Sequence, residues 1–218
     1  MTALRPPLPA AAGLGLGVAA VFEPGPEPAG PAEAAAAASM PPKRRLEFLA
    51  GRRAARRALR AVGLECGEIP RSGRLPVFPP GRAASISHSA GIAVAVARAP
   101  GRDLPLGCDL ELCPLPHGAA RLVLRADEEA LLGDAGAPAW SVTELFSAKE
   151  AAWKALVGPD GEHPAGPMGS LRDLRARPEG DGLRVCARAE PAHAVRVRVV
   201  RVGAGVFSYV VGRAGAPG

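Results

Sequence analysis

Aromatic side chains are scarce in this sequence, at 4% of its 218 residues. Proteins that bind single-stranded nucleic acid generally stack the bases on aromatic side chains, and no helix-turn-helix pattern or glycine-aromatic RNA motif compensates for the scarcity. We therefore expect no nucleic-acid partner, although the net charge of +6 and the pI of about 9.8 would suit one. A basic surface suits anionic lipid, phosphorylated ligands or an acidic protein partner equally well.

Cysteine is also scarce, and its spacing argues against two common uses. The four cysteines, Cys66, Cys108, Cys113 and Cys186, form no C-x-x-C pair. The spacing of Cys108 and Cys113, with no second pair and no histidine cluster nearby, is a poor zinc signal. Four cysteines in a chain of this length do not make a disulfide scaffold, so we predict reduced thiols and a cytoplasmic location.

Long apolar runs are missing beyond the N-terminus. Only the stretch Leu8–Phe22, which follows Arg5, imitates a secretory signal. Pro9 and three glycines interrupt that stretch, and we predict instead that residues 17–22 form a first strand. No other stretch is long and apolar enough to span a bilayer, so no membrane association is expected.

The remaining sequence mixes helical and strand patterns in both halves. Helices are predicted at residues 32–39, 43–61, 119–133 and 141–157. Strands are predicted at residues 84–89, 92–97, 106–112, 183–188, 194–202 and 205–211. Loops are predicted at the proline- and glycine-rich residues 23–31 and 64–82. This order predicts an α+β (mixed α/β) fold with two similar-sized halves, residues 1–105 and 106–218.

The predicted helix at 43–61 is strongly basic. It contains a single acid, Glu47. Its basic residues are Lys43, Arg44, Arg45, Arg52, Arg53, Arg56, Arg57 and Arg60. Guanidinium groups fork onto phosphate oxygens, so this helix is a candidate phosphate-binding surface. A solvated basic face and a nucleic-acid-binding helix are the alternatives.

A Ser87-His88-Ser89 segment ends one of the predicted strands. It lacks the G-x-S-x-G elbow that would indicate a serine hydrolase. The histidine and its neighbouring hydroxyls are able to bind a diphosphate, or simply to cap the strand.

Carboxylates and lysines recur between residues 107 and 156. Asp109 and Glu111 are two apart on a predicted strand and so share a face, where they repel unless a cation lies between them. Mg²⁺ binds through one or two carboxylates plus substrate phosphate oxygens. Glu150 and Lys154 stand one turn apart on a predicted helix, where Glu150 could ligate a metal or accept a proton and Lys154 could contact a phosphate. Taken singly, each pair is also typical of a protein surface.

The order of these motifs is more specific than any one of them. In sequence they read Arg-Arg-Leu-Glu-Phe-Leu-Ala-Gly-Arg at 44–52, Arg-Leu-Pro-Val-Phe-Pro at 74–79, Ser-Ile-Ser-His-Ser at 85–89, Gly-Cys-Asp-Leu-Glu at 107–111 and Phe-Ser-Ala-Lys-Glu-Ala-Ala-Trp-Lys at 146–154. This series closely resembles the 4′-phosphopantetheinyl transferases of the larger, monomeric class, the surfactin/enterobactin synthetase type. The resemblance covers residues 40–157.

The resemblance implies an enzyme of a defined kind. Members of the family transfer 4′-phosphopantetheine from coenzyme A to a serine of an apo acyl or peptidyl carrier protein, and they release adenosine 3′,5′-bisphosphate. It also implies Mg²⁺ as the cofactor, a monomer, and two halves related by pseudo-twofold symmetry with coenzyme A between them. The carriers so activated belong to fatty-acid, polyketide or non-ribosomal-peptide synthases, including those that make antibiotics and siderophores.

The resemblance also implies roles for individual residues. Contacts to coenzyme A are expected from Arg44, Arg52, Arg74, Ser87, His88, Asp109, Lys149, Glu150 and Lys154. Metal ligands are expected to be Asp109, Glu111 and Glu150, and the catalytic residues Asp109, Glu150 and Lys154. Residues 157–164 are polar here, whereas many members of the family carry aromatic and apolar residues at this place. A relative that binds coenzyme A without transferring the arm is the remaining alternative.

Overall fold

The computed structural model describes residues 13–24, 28–103, 105–133, 140–157 and 168–215. The chain divides into two compact units, Met1–Leu106 and Gly107–Gly218. Among the described residues, no helix has both the length and the apolar composition that a bilayer crossing requires.

The first unit packs helices against a small antiparallel sheet. Its helices are α1 (Pro31–Ala38) and α2 (Pro42–Ala61), and its strands are β1 (Leu14–Ala20), β2 (Arg71–Ser72), β3 (Leu75–Pro76), β4 (Ala84–Ser89) and β5 (Ile92–Arg98). The main sheet has the order β1-β5-β4, and β2 and β3 pair as a short hairpin. The strand predicted at residues 106–112 forms as Cys108–Glu111 and belongs to the sheet of the second unit.

Close backbone contact explains why β1 contains glycine at alternate positions. A Cβ on Gly15 would lie 2.3 Å from the carbonyl oxygen of Ala58, and a Cβ on Gly17 would lie 1.9 Å from that of Ala54. Both alanines are fully buried on α2. Small residues on both elements therefore let the helix lie directly on the strand, which gives the alanine-rich composition a structural use.

The second unit is a five-stranded antiparallel sheet. Its strands are β6 (Cys108–Glu111), β7 (Leu174–Glu179), β8 (Gly182–Ala187), β9 (Ala194–Val202) and β10 (Gly205–Arg213). They lie in the order β6-β10-β9-β8-β7. Two helices, α3 (Ala120–Val123) and α4 (Val142–Leu156), accompany the sheet, together with short 3₁₀ turns at His117–Ala119, Ala126–Leu132 and Leu171–Asp173. The core lies between α4 and one face of the sheet, with Leu145, Leu183 and Val197 fully buried.

Helix α4 begins at a capping box. The backbone N–H of Glu144 donates to Ser141 Oγ at 3.2 Å, and Ser141 N–H donates to the Glu144 carboxylate at 2.7 Å. These bonds satisfy donors that have no partner inside the helix. The start of the helix, and hence the position of every side chain along it, is defined by this pair.

Glycine at the start of β6 allows the strand to lie against α4. A Cβ on Gly107 would be 1.8 Å from the carbonyl oxygen of Ala151, which is fully buried on that helix. Any side chain here would force strand and helix apart. Gly107 therefore sets the separation between β6 and α4.

A buried ion pair ties α4 to the rest of its unit. The ammonium of Lys149 is fully buried and donates to the Glu128 carboxylate at 2.9 Å, and to the carbonyl oxygens of Val123 at 2.9 Å and Leu174 at 3.1 Å. Glu128 also accepts a bond from Arg188 at 2.7 Å. Burial lowers the pKa of Lys149, and the Glu128 carboxylate opposes that shift.

Most of the predicted elements are confirmed, and the mixed α+β class with them. The predicted helix at 119–133 is wrong, because Leu124 adopts an extended conformation (φ −110°, ψ 155°) and divides the segment into α3 and a 3₁₀ turn. The sequence pattern predicted no strand at β7, which contains Pro178. This proline is tolerated here because β7 is an edge strand. The pseudo-twofold relation of the halves stays a prediction.

We expect Gly107→Ala to destabilise the second unit by about 1–3 kcal/mol, the usual cost of overpacking a close contact. Both tryptophans of the chain, Trp140 and Trp153, lie in this unit, so urea unfolding followed by tryptophan fluorescence measures it. Gly118→Ala is the matched control, since no atom lies within 4 Å of its added Cβ. Equal unfolding midpoints for the two variants would contradict the close contact.

Lys149→Met should cost about 3–5 kcal/mol, because it removes one partner of a buried ion pair and leaves the Glu128 carboxylate with less compensation. The same fluorescence measurement checks this value. Arg121→Met, at an exposed cation of the same unit, should change the stability by less than about 0.5 kcal/mol. A Lys149 variant as stable as the Arg121 variant would show that the buried pair contributes nothing.

Candidate functional site

The acidic residues of β6 lie on the face of the sheet that α4 covers. Asp109 pairs with Ser208 and Glu111 pairs with Val206 in the antiparallel ladder with β10. Directly opposed residues share a face of the sheet, and Ser208 continues the face that carries the buried core. The carboxylate of Asp109 is thereby held beside α4, with only 6% of the residue exposed.

Lys154 reaches across from α4 to this strand. Its ammonium lies 2.9 Å from Asp109 Oδ1 and donates to the Cys108 carbonyl oxygen at 3.0 Å. Burial by itself would lower the pKa of Lys154, but Asp109, Cys108 and Glu150 together outweigh it and the pKa is raised. Lys154 is therefore a charged ammonium fixed beside a buried carboxylate.

Glu150 stands one turn before Lys154 and is half-buried. Burial raises its pKa, and the carboxylates of Asp109 and Glu111 raise it further against the opposing charge of Lys154. The three carboxylates are thus close enough to influence one another. A carboxylate with a raised pKa is a better proton acceptor when it is ionised.

The metal-binding capacity of this group follows from its donors. Among the described residues, no three histidine, cysteine, aspartate or glutamate side chains already lie close enough together to hold a metal ion. Mg²⁺, however, needs only one or two carboxylates, because waters and substrate phosphate oxygens complete its octahedron. The all-oxygen set of Asp109, Glu111 and Glu150 fits that ion, and its mutual repulsion favours a cation.

In the first unit, Arg44 and His88 are brought together. A guanidinium nitrogen of Arg44 on α2 lies 2.7 Å from His88 Nε2 on β4, and the same nitrogen is 3.3 Å from the Glu47 carboxylate. The side chain of Arg44 is 58% exposed. Ser87, the preceding residue of β4, is buried. The structure therefore joins two of the predicted phosphate contacts at one place.

Arg52 is less available than the sequence suggested. It is 6% exposed, donates to the carbonyl oxygens of Ile69 at 2.8 Å and Pro70 at 3.3 Å, and stacks on the ring of Phe48. Burial lowers its pKa to about 10, with further lowering from nearby arginines, although Glu33 opposes this. Arg52 holds the connection after α2 in place.

Arg74 lies between β2 and β3 and is exposed. Its neighbour Arg71, which sequence reasoning did not select, is near enough to Arg52 for its charge to lower the pKa of Arg52 further. No periodicity marks Arg71, because the short hairpin that carries it is visible only in the structure. The basic residues of this unit therefore extend from α2 onto that hairpin.

Three further arginines of α2, Arg45, Arg56 and Arg57, are engaged within the unit. Arg56 donates to the fully buried Glu33 carboxylate at 2.6 Å, and Arg57 pairs with Glu23 and donates to the Val18 carbonyl oxygen at 2.6 Å. Arg45 donates to the Ala37 carbonyl oxygen at 2.9 Å. The helix is therefore not a continuous solvated basic face, and the nucleic-acid alternative loses its main support.

Lys149 requires a correction. The family resemblance implies a contact from Lys149 to coenzyme A, but its ammonium is fully buried and its donors are taken by Glu128, Val123 and Leu174. Lys149 and Lys154 are five positions apart on the helix, so their side chains differ by about 140° around the helix axis. This spacing indicates that the two lysines lie on different faces of α4. Lys149 is a structural residue.

Two serines near Asp109 were not selected from the sequence. Ser147 Oγ lies 3.4 Å from the Asp109 carbonyl oxygen, and Ser208 lies directly opposite Asp109 on β10 and is fully buried. Ser147 belongs to the 146–154 motif, so its position on the helix was a usable signal. Ser208 had none, because only strand pairing brings it to the site.

Comparison with known proteins bears on this arrangement. Residues 32–98, from α1 to β5, match the 4′-phosphopantetheinyl transferase N-terminal domain. The chain is 39% identical over 120 residues to enterobactin synthase component D of Salmonella typhi, covering 52% of this chain and 49% of that protein. It is 40% identical over 119 residues to the protein of the same name from Escherichia coli K12, covering 52% of this chain and 55% of that protein.

The chain spans about half the length of the curated relatives it matches. The match to the N-terminal domain includes Arg44, Arg52 and His88. By these matches, the chain resembles the 4′-phosphopantetheinyl transferase family, whose N-terminal domain residues 32–98 match.

Proposed function

We propose that this protein transfers 4′-phosphopantetheine from coenzyme A to a serine hydroxyl of an apo acyl or peptidyl carrier protein, with Mg²⁺, releasing adenosine 3′,5′-bisphosphate. The observation that carries the proposal is the group formed by β6 and α4 in a chain that resembles this family. There the Asp109 carboxylate meets the Lys154 ammonium at 2.9 Å, and Glu150 lies near both.

Asp109, Glu111 and Glu150 would hold Mg²⁺. When bound, the ion would neutralise charge on the coenzyme's diphosphate and polarise it toward attack. The need for a cation is supported by the raised pKa of Glu150, which reflects burial and the two neighbouring carboxylates.

Lys154 would bind the diphosphate. Its ammonium is held in place by Asp109 and by the Cys108 carbonyl oxygen. The side chain therefore needs little rearrangement to place its positive charge beside the phosphate oxygens. Fixed charges of this kind stabilise the charge that develops in phosphoryl transfer.

Glu150 would accept the serine proton, directly or through a water. The serine oxygen forms a bond to the phosphorus that bears the pantetheine arm, and the bond from that phosphorus to the bridging oxygen breaks. The bonding electrons leave with adenosine 3′,5′-bisphosphate, while the proton passes to Glu150. A half-buried carboxylate with a raised pKa suits this role.

Arg44, His88 and Ser87 of the first unit, with Arg52 and Arg74, would contact the phosphates of coenzyme A. The proposal is supported by the 2.7 Å approach of Arg44 and His88 and by the exposure of Arg44. Forked guanidinium donors match phosphate oxygens in geometry as well as in charge.

The carrier protein is the proposed macromolecular partner. The net charge of +6 suits an acidic carrier. Because the relatives are named as components of enterobactin synthase, a peptidyl carrier domain is the first to test and an acyl carrier the second. We further propose a monomer in the cytoplasm, where the four free cysteines would stay reduced.

Incubation of an apo carrier with coenzyme A, Mg²⁺ and this protein should add the mass of one phosphopantetheine group, as measured by intact-protein mass spectrometry. EDTA should abolish the addition. Glu150→Gln should slow it by about 10²–10⁴-fold, the usual contribution of a positioned general base. Glu129→Gln, at an exposed acid of the same unit, should leave the rate unchanged. Full modification by the Glu150 variant in EDTA would refute the proposed chemistry.

Arg44→Ala should raise the KM for coenzyme A by about 10–100-fold, as expected for the loss of charge-assisted hydrogen bonds to phosphate. Its unfolding temperature should hardly change, since the side chain is largely exposed. Arg60→Ala, at an exposed arginine of the same helix, is the control and should leave the KM unaltered. An equal rise of KM in both variants would point to net charge instead of a specific contact.

A further inference from the structure

The outward face of β7 and β8 carries an arginine cluster that the proposed transfer does not use. Residues of β7 alternate, so that Leu174 and Ala176 enter the core while Arg175 and Arg177 point the other way. In the ladder, Arg175 pairs with Cys186 and Arg177 with Arg184. Like charges directly opposed on neighbouring strands destabilise a sheet, so this arrangement carries an unfavourable charge pair.

A cavity of about 190 Å³ opens between these side chains. We name it the arginine cavity, and its lining residues are Arg175, Arg177, Arg184, Cys186, Arg188 and Pro191. It is smaller than the pockets of about 300–1,000 Å³ that enclose drug-sized ligands. Its size suits a small anion or the charged end of a larger molecule.

The acids nearby do not balance these arginines. Asp127 pairs with both Arg175 and Arg188, and Glu128 is shared between Arg188 and the buried Lys149. Neither acid pairs with the other two arginines of the cavity. The cluster therefore keeps excess positive charge.

Arg184 and Arg177 hold that excess. Arg184 donates through one terminal nitrogen to the carbonyl oxygens of Pro191 at 3.2 Å and Gly215 at 3.4 Å, and its Nε is buried without a hydrogen-bond partner in the part of the chain that the structure describes. Arg177 is exposed and forms no ion pair with the acids among the described residues. A buried donor without a partner is costly, and an anion would satisfy it.

The four arginines and Cys186 line the same cavity. Burial raises the pKa of the Cys186 thiol, and all four arginines of the cavity oppose that shift. Each guanidinium is therefore near enough to act on the same sulfur atom. An anion placed above Cys186 would interact with all of them.

We propose that the arginine cavity binds a phosphate-bearing anion, either a free phosphate or diphosphate or the phosphate end of a small molecule. Arg177 and Arg184, which no acid among the described residues pairs with, match the tetrahedral oxygens and double charge of phosphate better than a single carboxylate. Arg188, whose donors are held by Asp127, Glu128 and the Arg172 carbonyl oxygen, adds only its charge. None of the lining residues belongs to the set proposed for transfer, so this site stands independently of that function.

Pyrophosphate binding to the folded chain tests the proposal. Pyrophosphate is titrated into the Arg44→Ala variant by isothermal titration calorimetry at constant ionic strength. All further substitutions are made in this variant, because it weakens competing phosphate contacts in the first unit. Adding Arg177→Gln and Arg184→Met should weaken binding about tenfold or more, because two charged donors are lost. The control variant instead adds Arg121→Gln and Arg213→Gln. These changes remove the same amount of charge at exposed positions and should leave binding unchanged.

Tryptophan fluorescence confirms that each variant is folded, and the single Arg177→Gln change, at an exposed side chain, should still weaken binding if Arg184→Met unfolds the unit. Inorganic phosphate and adenosine monophosphate are titrated in parallel. Cavity-dependent binding of free phosphate supports a free anion, and cavity-dependent binding of the nucleotide alone supports the phosphate end of a small molecule. Binding that is absent, or that responds equally to the control substitutions, would overturn the proposal.

Discussion

The contact between β6 and α4 is the constraint on which the site depends. Gly107 lets the strand approach the backbone of Ala151, and this approach brings the carboxylate of Asp109 within 2.9 Å of Lys154. The same approach places Glu150 among like charges and raises its pKa. A wider separation would leave the three carboxylates and the lysine exposed to water. Their charges would then no longer shift one another's pKa values in a partly buried site.

Burial of charge is the second theme of the structure, and it separates residues of the same type into different roles. Lys149 and Lys154 stand on one helix, yet the first is enclosed by Glu128 and carbonyl oxygens while the second reaches the acids of β6. Arg56 neutralises the buried Glu33, whereas Arg44 is mostly exposed. The basic composition is therefore partly structural, and only some of the cations are available to a phosphate.

Local patterns were sufficient to predict much of the fold and part of the site. Apolar spacing located α2 and α4, and alternation located β4, β5 and the three strands from β8 to β10. Motif order led to the family and to Asp109, Glu150 and Lys154, whose proximity the structure describes. The segment 119–133 was misjudged because its apolar spacing continues across Leu124, where the backbone is extended. Strand β7 was not predicted, and its edge position, which tolerates Pro178, is a property of the sheet.

The sequence by itself determined which chemical groups are present and how they repeat along each element, since the two-residue period of a strand and the four-residue turn of a helix are local. Spacing alone therefore placed Asp109 with Glu111 and Glu150 with Lys154. Only the tertiary structure decided which partners meet: Ser208 beside Asp109, Glu128 around Lys149, and four arginines around Cys186. Such pairings join residues far apart in the chain, and they are selected by close packing and by the cost of burying unpaired charge, neither of which a local pattern contains.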